Sequence, residues 1–344
     1  MYGRDFSQIN QIKQKNLHIS KKSSTFAEKI TNNHSRMNSI LTNSVTLLVI
    51  ILVGYITSRK GILTNGFSVP FSNLITEICC PLLIFSSICG TNFPNKTLIL
   101  PLLGVSTLSY ALIIIFAILI TKLYNVDKTD QAIHAFAVTF GNVAFLGYPV
   151  CYAFYGQEAI FYAAILNLPN TVFVFTVGSS LIDTGKFSFS GFKWKSLFHP
   201  NCIATYLVIL MVLFDLRNIP AVISVPCEML GRITVPGALL LLGMTLSNIP
   251  TRSLFGNYKI YITSILRCIV TPLLIFAVFT LIPVDSLVRN INTILLAMPV
   301  ATFGTVLCIQ YGKSTNTIAA TTFISTLLSL TLLPLWYFLL SSTN

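Results

Sequence analysis

Long apolar intervals separated by short polar ones run along the chain from residue 37 to residue 344. A transmembrane helix needs about 20 apolar residues, and ten intervals approach or exceed that length. The pattern therefore predicts an all-α integral membrane protein with about ten transmembrane spans. Two of the intervals, 67–90 and 259–282, contain one charge each, Glu77 and Arg267. The eight that lack Asp, Glu, Lys and Arg are 37–58, 97–121, 131–157, 159–182, 196–214, 233–251, 290–312 and 314–344.

The ten predicted spans divide into two halves of five. Residues 37–182 contain spans 1–5, and residues 198–344 contain spans 6–10. The loop 183–197 between them is predicted to be cytoplasmic. Residues 1–36 are polar and lack periodicity, so we expect a disordered tail there. Because Met37 directly precedes the first apolar interval, it is a candidate for the true translation start.

The two halves share landmarks at a nearly constant offset. Pro81 in span 2 corresponds to Pro236 in span 7, 155 residues later. Tyr155-Gly156 ends span 4, and Tyr311-Gly312 ends span 9, 156 residues later. Because five is an odd number, the second half enters the membrane from the opposite side. The pattern predicts two inverted five-helix repeats, an architecture typical of secondary transporters.

Spans 4 and 9 carry a proline and a glycine in corresponding regions. Pro149 and Pro299 remove a helical hydrogen bond each, and we expect Gly147 and Gly304 to let the chain unwind beside them. Interrupted helices in matching positions of two repeats are a pointer to a binding site in the middle of the membrane. The half-helices would present N–H groups and partial positive charge to an anion. Ordinary proline kinks are the alternative.

Polar residues near these breaks complete the predicted binding site. The amide of Asn142 could contact a substrate or bond to a neighbouring helix. The hydroxyl of Thr302 could contact a substrate or bond to its own helix. The predicted substrate-binding residues are thus Asn142, Gly147, Pro149, Pro299, Thr302 and Gly304.

Glu77 and Arg267 are the candidates for proton or ion coupling. A buried carboxyl at Glu77 could exchange protons, and the alternative is a carboxyl near the interface or in an ion pair. Arg267 could hold a substrate anion or Glu77, but we expect its side chain to snorkel to the membrane interface. Glu228 and Arg232 are spaced as a structural pair on one helix. His134 receives no proton role.

Composition and charge narrow the function. Only 9% of residues are charged, against roughly 25% in a soluble domain. The net charge of +12 does not indicate nucleic acid, because seven of the 22 basic residues precede position 37 and the rest are scattered. The loops after spans 1, 3, 5, 7 and 9 share one side of the membrane and hold ten Lys and Arg residues, whereas the loops on the other side hold four. Because basic loops favour the cytoplasmic side, this distribution predicts that both termini lie outside the cytoplasm. The eight cysteines lack metal-ligand spacing, and no protease or P-loop motif occurs, so we expect no catalytic residues, metal or cofactor.

Three segments carry a resemblance to a known family. Residues 141–149, GNVAFLGYP, resemble the span-4 signature of the auxin efflux carrier family, which includes plant PIN proteins and bacterial permeases. The run from Leu296 to Leu330 and the turn Arg59-Lys60-Gly61 are also similar to it. The resemblance implies ten helices, with broken helices 4 and 9 crossing beside the substrate, and often a homodimer. Plant members place a proline near Gly304 and a long insert at 183–197, so this chain resembles the bacterial permeases, carriers of malonate, malate or related anions.

The sequence therefore predicts a secondary active transporter of a small organic anion, a dicarboxylate or an auxin-like carboxylate, working by alternating access. Its partners would be the lipid bilayer of a plasma or inner membrane and a coupling proton or sodium ion. A membrane-embedded enzyme, and a channel or sensor built on a transporter fold, remain the alternatives.

Overall fold

The computed structural model describes residues 42, 45–89, 94–186, 197–216, 218–247 and 258–342. Contacts divide the chain into two units, Met1–Val45 and Thr46–Asn344, and the second contains all but the first residue of the helices. The predicted tail at 1–36, the start at Met37 and most of the loop 183–197 lie outside the described residues.

Within the described ranges the chain forms twelve helices, and its one β-type contact is an isolated bridge. The helices are α1 Val45–Arg59, α2 Gly66–Ser86, α3 Lys96–Thr121, α4 Lys128–Thr139, α5 Val143–Tyr155, α6 Glu158–Thr184, α7 Pro200–Leu213, α8 Ala221–Ser247, α9 Tyr258–Leu281, α10 Ser286–Leu296, α11 Phe303–Gln310 and α12 Asn316–Ser342.

Helix length and hydropathy fit a multi-pass membrane protein. Over the described residues, six helices are long and apolar enough to cross a membrane, namely α2, α3, α6, α8, α9 and α12. Three shorter apolar helices accompany them, α1, α5 and α7. Large apolar side chains such as Leu52, Leu207 and Val222 are exposed on the outer helices, as expected where lipid is the solvent. The prediction of an all-helical membrane protein is confirmed at this level.

Several long helices change their pairing where a proline follows. Four contain a π-turn, in which each backbone bond spans five residues: Ile75–Cys79, Val143–Gly147, Val174–Gly178 and Leu266–Val270. Three of these turns end two residues before a proline, at Pro81, Pro149 and Pro272. A proline lacks the N–H that the preceding turn requires. A π-turn shifts the pairing by one residue and so accommodates the missing donor inside the bilayer.

The interrupted segments lie at the centre of the protein. Every residue of 132–141 and of 290–301 is buried. These stretches cover most of α4 and α10 and the chain that follows each helix. Irregular backbone is tolerated at membrane depth only where protein or a water-filled cavity surrounds it. The position of these segments satisfies that condition.

Candidate functional site

The first chain interruption lies between α4 and α5, at residues 140–142. Phe140 has extended backbone angles, φ −105° and ψ 120°. Asn142 follows with φ −79° and ψ 65°, the geometry of an inverse γ-turn, and Val143 N donates to Gly141 O at 2.9 Å. The chain therefore leaves the helical path for three residues and re-enters it at α5.

The second interruption, residues 297–302 between α10 and α11, meets the first. Gly141 and Val300 form an isolated antiparallel bridge. Asn142 N donates to Pro299 O at 2.8 Å, and Ala301 N donates to Phe140 O at 3.0 Å. Each interruption therefore satisfies polar backbone groups of the other. We call residues 140–142 and 297–302 together the crossing.

Helix α12 supplies further partners to the crossing. Ser325 Oγ accepts from Val300 N at 3.0 Å. One turn further along the helix, Ser329 Oγ donates to Ala297 O at 3.0 Å. Both serines are buried. Two hydroxyls at i and i+4 thus satisfy one N–H and one carbonyl of the second interruption.

Arg267 of α9 lies at the side of the crossing where α4 and α10 end, which we call the C-terminal face. Its Nη1 donates to Val138 O at 3.2 Å and Thr139 O at 2.7 Å, and its Nε donates to Met298 O at 2.9 Å. The side chain is 0% exposed. One guanidinium therefore binds carbonyl groups at the C-terminal ends of both half-helices, two in the last turn of α4 and one just after α10, where the helix dipole places partial negative charge.

A cavity of about 480 Å³ lies on the opposite side, where α5 and α11 begin, which we call the N-terminal face. Its polar wall combines amides and hydroxyls from the crossing and from four helices, and its apolar wall comes from side chains such as Phe145, Leu242 and Phe323. Among the described residues, no charged side chain lines these walls. The polar residues are Ser68, Ser72, Asn73, Asn142, Thr245, Thr302, Thr305, Thr322 and Thr326.

The sequence model of a membrane transport protein family matches residues 39–190 and 186–337. The chain belongs to this family, the auxin efflux carriers and related permeases. Its similarity extends to an uncharacterized transporter of Methanocaldococcus jannaschii, 30% identical over 86% of this chain and 96% of the relative. An uncharacterized transporter of Methanothermobacter thermautotrophicus is 24% identical over 85% of this chain and 95% of that protein. The family and these relatives point to a transporter rather than an enzyme.

Three of the binding residues predicted for this transporter lie where the sequence analysis expects them. Asn142 and Thr302 both line the cavity, one at the start of each second half-helix. Pro299 lies within the second interruption, and its carbonyl accepts the bond from Asn142 N. Whether these groups bind the transported solute stays a prediction. The structure brings these three residues together at the crossing.

The expectation that Gly147 and Gly304 unwind the chain is wrong. Gly147 has helical angles, φ −64° and ψ −45°, and Gly304 lies within α11. Both are close-contact positions, because a Cβ would lie 2.8 Å from Leu295 Cδ2 at Gly147 and 2.6 Å from a ring carbon of Phe136 at Gly304. Pro149 is buried in α5, seven residues after Asn142, and the π-turn before it absorbs the missing donor. None of the three lines the cavity.

The structure corrects the expectation for one of the two intramembrane charges and decides against the buried alternative for the other. Arg267 does not snorkel, because it is fully buried in the crossing. Glu77 is exposed on α2 instead of buried and does not line the cavity, so the structure does not bring it to the crossing. The pairing of Glu228 with Arg232 is confirmed, with Arg232 Nη2 donating to Glu228 Oε1 at 2.6 Å.

The sequence analysis missed most of the hydroxyl groups around the cavity of this carrier-family protein. Ser68 and Ser72 lie one turn apart on α2, and Thr322 and Thr326 lie one turn apart on α12. A stripe of hydroxyl residues at i and i+4 in an apolar span is the signal that could have identified them. Hydroxyls that bond back to their own helix are common, however, and both α12 threonines also do so, donating to Ile318 O and Thr322 O.

Proposed function

We propose that this membrane transporter carries a small organic anion by alternating access and binds it in the cavity on the N-terminal face of the crossing. One observation supports the proposal above all others. The first turns of α5 and α11 meet at a single cavity, and Asn142 and Thr302 stand at those two helix starts.

The chemistry of that cavity suits a carboxylate attached to an apolar body. Helix N-termini offer unpaired N–H groups and partial positive charge, which favour an anion. The amide of Asn142 and the hydroxyl of Thr302 add side-chain donors. The apolar wall, with Phe145 and Phe323, fits the carbon skeleton of an organic acid. A volume of about 480 Å³ lies within the usual range for small-molecule sites.

The inverted-repeat arrangement is part of the proposal. Residues 37–182 and 198–344 would form two five-span halves, with α4–α5 and α10–α11 as the interrupted fourth span of each. Two corresponding glycines support it, since Gly156 after α5 and Gly312 after α11 have φ values of +80° and +63°. Residues with a side chain rarely adopt a positive φ of this size, and glycine adopts it at little cost.

The remaining predictions, which rest on the distribution of basic residues and on family membership, stay proposals. They are a plasma or inner membrane location, termini outside the cytoplasm, coupling to a proton or sodium gradient, and a homodimer. Saturable uptake into proteoliposomes that responds to an imposed gradient would support a coupled carrier. A conductance that does not saturate would support a channel instead.

A thermal-shift screen of the purified protein tests the proposed site. The probes are malonate, malate, indole-3-acetate and a panel of amino acids. We expect at least one carboxylate to raise the unfolding temperature, and we expect Asn142→Ala to weaken that effect. Asn125→Ala is the matched control, since Asn125 lies in the loop between α3 and α4. A hit that keeps its full effect in Asn142→Ala would place binding outside this cavity.

A further inference from the structure

Arg267 is the only buried Lys or Arg side chain over the described residues, and no described Asp or Glu is buried. An arginine side chain remains protonated in proteins. Burying a charge without a counter-charge costs several kcal/mol unless other groups compensate. Here the compensation comes from three carbonyl oxygens at the ends of α4 and α10. The positive charge itself is therefore solvated by dipoles and not neutralised by a carboxylate.

The third nitrogen of the Arg267 guanidinium, Nη2, is buried and has no hydrogen-bond partner among the described residues. It lies against the backbone of Gly141, where a Cβ would overlap it. The absence of a side chain at Gly141 is what lets the charge approach the chain this closely.

A single stretch of backbone separates this charge from the cavity. Gly141 contacts Arg267, and the next residue, Asn142, lines the cavity. Protein and lipid surround the region, so the effective dielectric constant is low and screening by salt is weak. A carboxylate bound beside Asn142 would feel the field of Arg267, and a cation at the same place would be repelled.

We infer that Arg267 is a positioning residue that fixes the crossing and gives the cavity its selectivity for anions, with the transported carboxylate acting as the counter-charge of the guanidinium. This inference rests on the proposed function, because it assigns a charge class to the solute of the same cavity. Loss of positioning should affect charged and neutral ligands alike, whereas loss of the positive charge should affect charged ligands only. Comparing the two kinds of ligand therefore separates the two effects of Arg267.

Pairs of ligands with the same shape and different charge test the inference. The pairs are indole-3-acetate with indole-3-acetamide, malonate with malonamide, and any other acid found in the screen with its amide. Apparent dissociation constants come from thermal-shift titration of the wild type, Arg267→Lys and Arg267→Met. Arg289→Met removes one positive charge elsewhere, from the half-buried Arg289 of α10, and is the matched control.

We expect the wild type to bind the acid in preference to the amide. Arg267→Met should lose that preference by about tenfold, because the fixed charge is gone, whereas any disturbance of the crossing should weaken acid and amide alike. Arg267→Lys should keep most of it, since the charge remains although the forked geometry is lost. The control Arg289→Met should leave the preference unchanged.

Three results would overturn the inference. An Arg267→Met protein that binds both ligands as the wild type does would exclude a role for this charge alone and leave the proposed site intact. Equal weakening of acid and amide in that variant would reduce Arg267 to a purely structural role. A wild type that binds the amide as well as the acid, or no acid at all, would reject the anion proposal together with this one.

A second variant keeps the test decisive if Arg267→Met fails to fold. Arg267→Gln removes the charge but keeps an amide that can donate to the carbonyl oxygens. We expect this variant to lose the acid preference as Arg267→Met does. An acid preference equal to that of the wild type in Arg267→Gln would contradict the inference.

Discussion

The two faces of the crossing are built from the same chain interruptions but differ in what fills them. On the C-terminal face, Arg267 and three carbonyl oxygens occupy the space, and every group is buried. On the N-terminal face a cavity of about 480 Å³ remains, with hydroxyl and amide walls. Both arrangements compensate for the unpaired backbone groups that interrupted helices leave.

The difference shows how a transporter can keep one side of a helix interruption rigid while the other side stays open to a solute. Negative helix ends are satisfied permanently by a side chain of the protein. Positive helix ends face a space that a solute can enter. Apart from Arg267, whose charge we infer to act on the cavity, substitutions on the first face should therefore act mainly on stability, and substitutions on the second should act mainly on binding.

The largest effect is expected at Gly141, where the C-terminal face is most tightly packed. Gly141→Val would force a side chain into Arg267 and should lower the free energy of unfolding by about 3 kcal/mol, as overpacked cores do. Denaturation with SDS in mixed micelles measures this change. Gly104→Val is the matched control, because a Cβ at Gly104 meets nothing within 4 Å. Equal stability of the two variants would show that the tight contact at Arg267 is not required.

A smaller loss of stability is expected at the serine that supports the second interruption. Ser325→Ala removes the acceptor of Val300 N, a buried donor, and should cost about 1–2 kcal/mol. The same SDS titration measures it. Thr331→Val removes an exposed hydroxyl that bonds only to its own helix, at Leu328 O, and should change stability by less than about 0.5 kcal/mol. A Ser325→Ala protein as stable as this control would contradict the role of α12.

Whether the sequence could predict a feature of either face depends on how far apart along the chain the interacting residues lie. The apolar intervals indicate helices because hydrophobicity along the chain is a local property. Pro299 marks its interruption directly. Pro149 does not, because the π-turn Val143–Gly147 absorbs its missing donor and the break lies earlier, at 140–142. Local signals therefore indicated the all-helical character of the protein and, in one of two cases, the position of the interruption.

Arg267 shows why the tertiary contacts of the crossing could not be predicted from the sequence. Its place in the middle of span 8 is visible in the sequence, but the face of α9 on which it lies is not. Its partners Val138, Thr139 and Met298 are 128 to 129 and 31 residues away along the chain. Pairing over such distances is set by tertiary packing, and the sequence alone favoured the interface for a lone arginine.

On the N-terminal face, Thr302→Val should separate binding from stability. The Thr302 side chain makes no capping bond to α11, so replacing its hydroxyl by a methyl group should change stability by less than about 0.5 kcal/mol. Binding of the acid found in the screen should weaken by about tenfold, the effect of one lost hydrogen bond to a charged group. Thermal-shift titration measures both, with Thr280→Val on the exposed surface of α9 as control. Unchanged affinity would remove Thr302 from the site.

The smallest effect is expected at Glu77, the charge that lies outside both faces. Its side chain is exposed on α2, and the cavity wall on that helix is formed by Ser68, Val69, Ser72 and Asn73. Because exposed substitutions away from a site rarely exceed about 0.5 kcal/mol, Glu77→Gln should change the uptake rate by no more than about twofold. Uptake into proteoliposomes with and without an imposed proton gradient measures this.

The control for Glu77→Gln is Glu228→Gln, which breaks a partly exposed pair with Arg232 and removes the same charge from α8. Both variants should respond to the gradient as the wild type does. Loss of that response in Glu77→Gln alone would return this carboxyl to a coupling role. It would also show that proton exchange occurs on α2, away from the crossing, so that the two faces account for solute binding but not for its energy source.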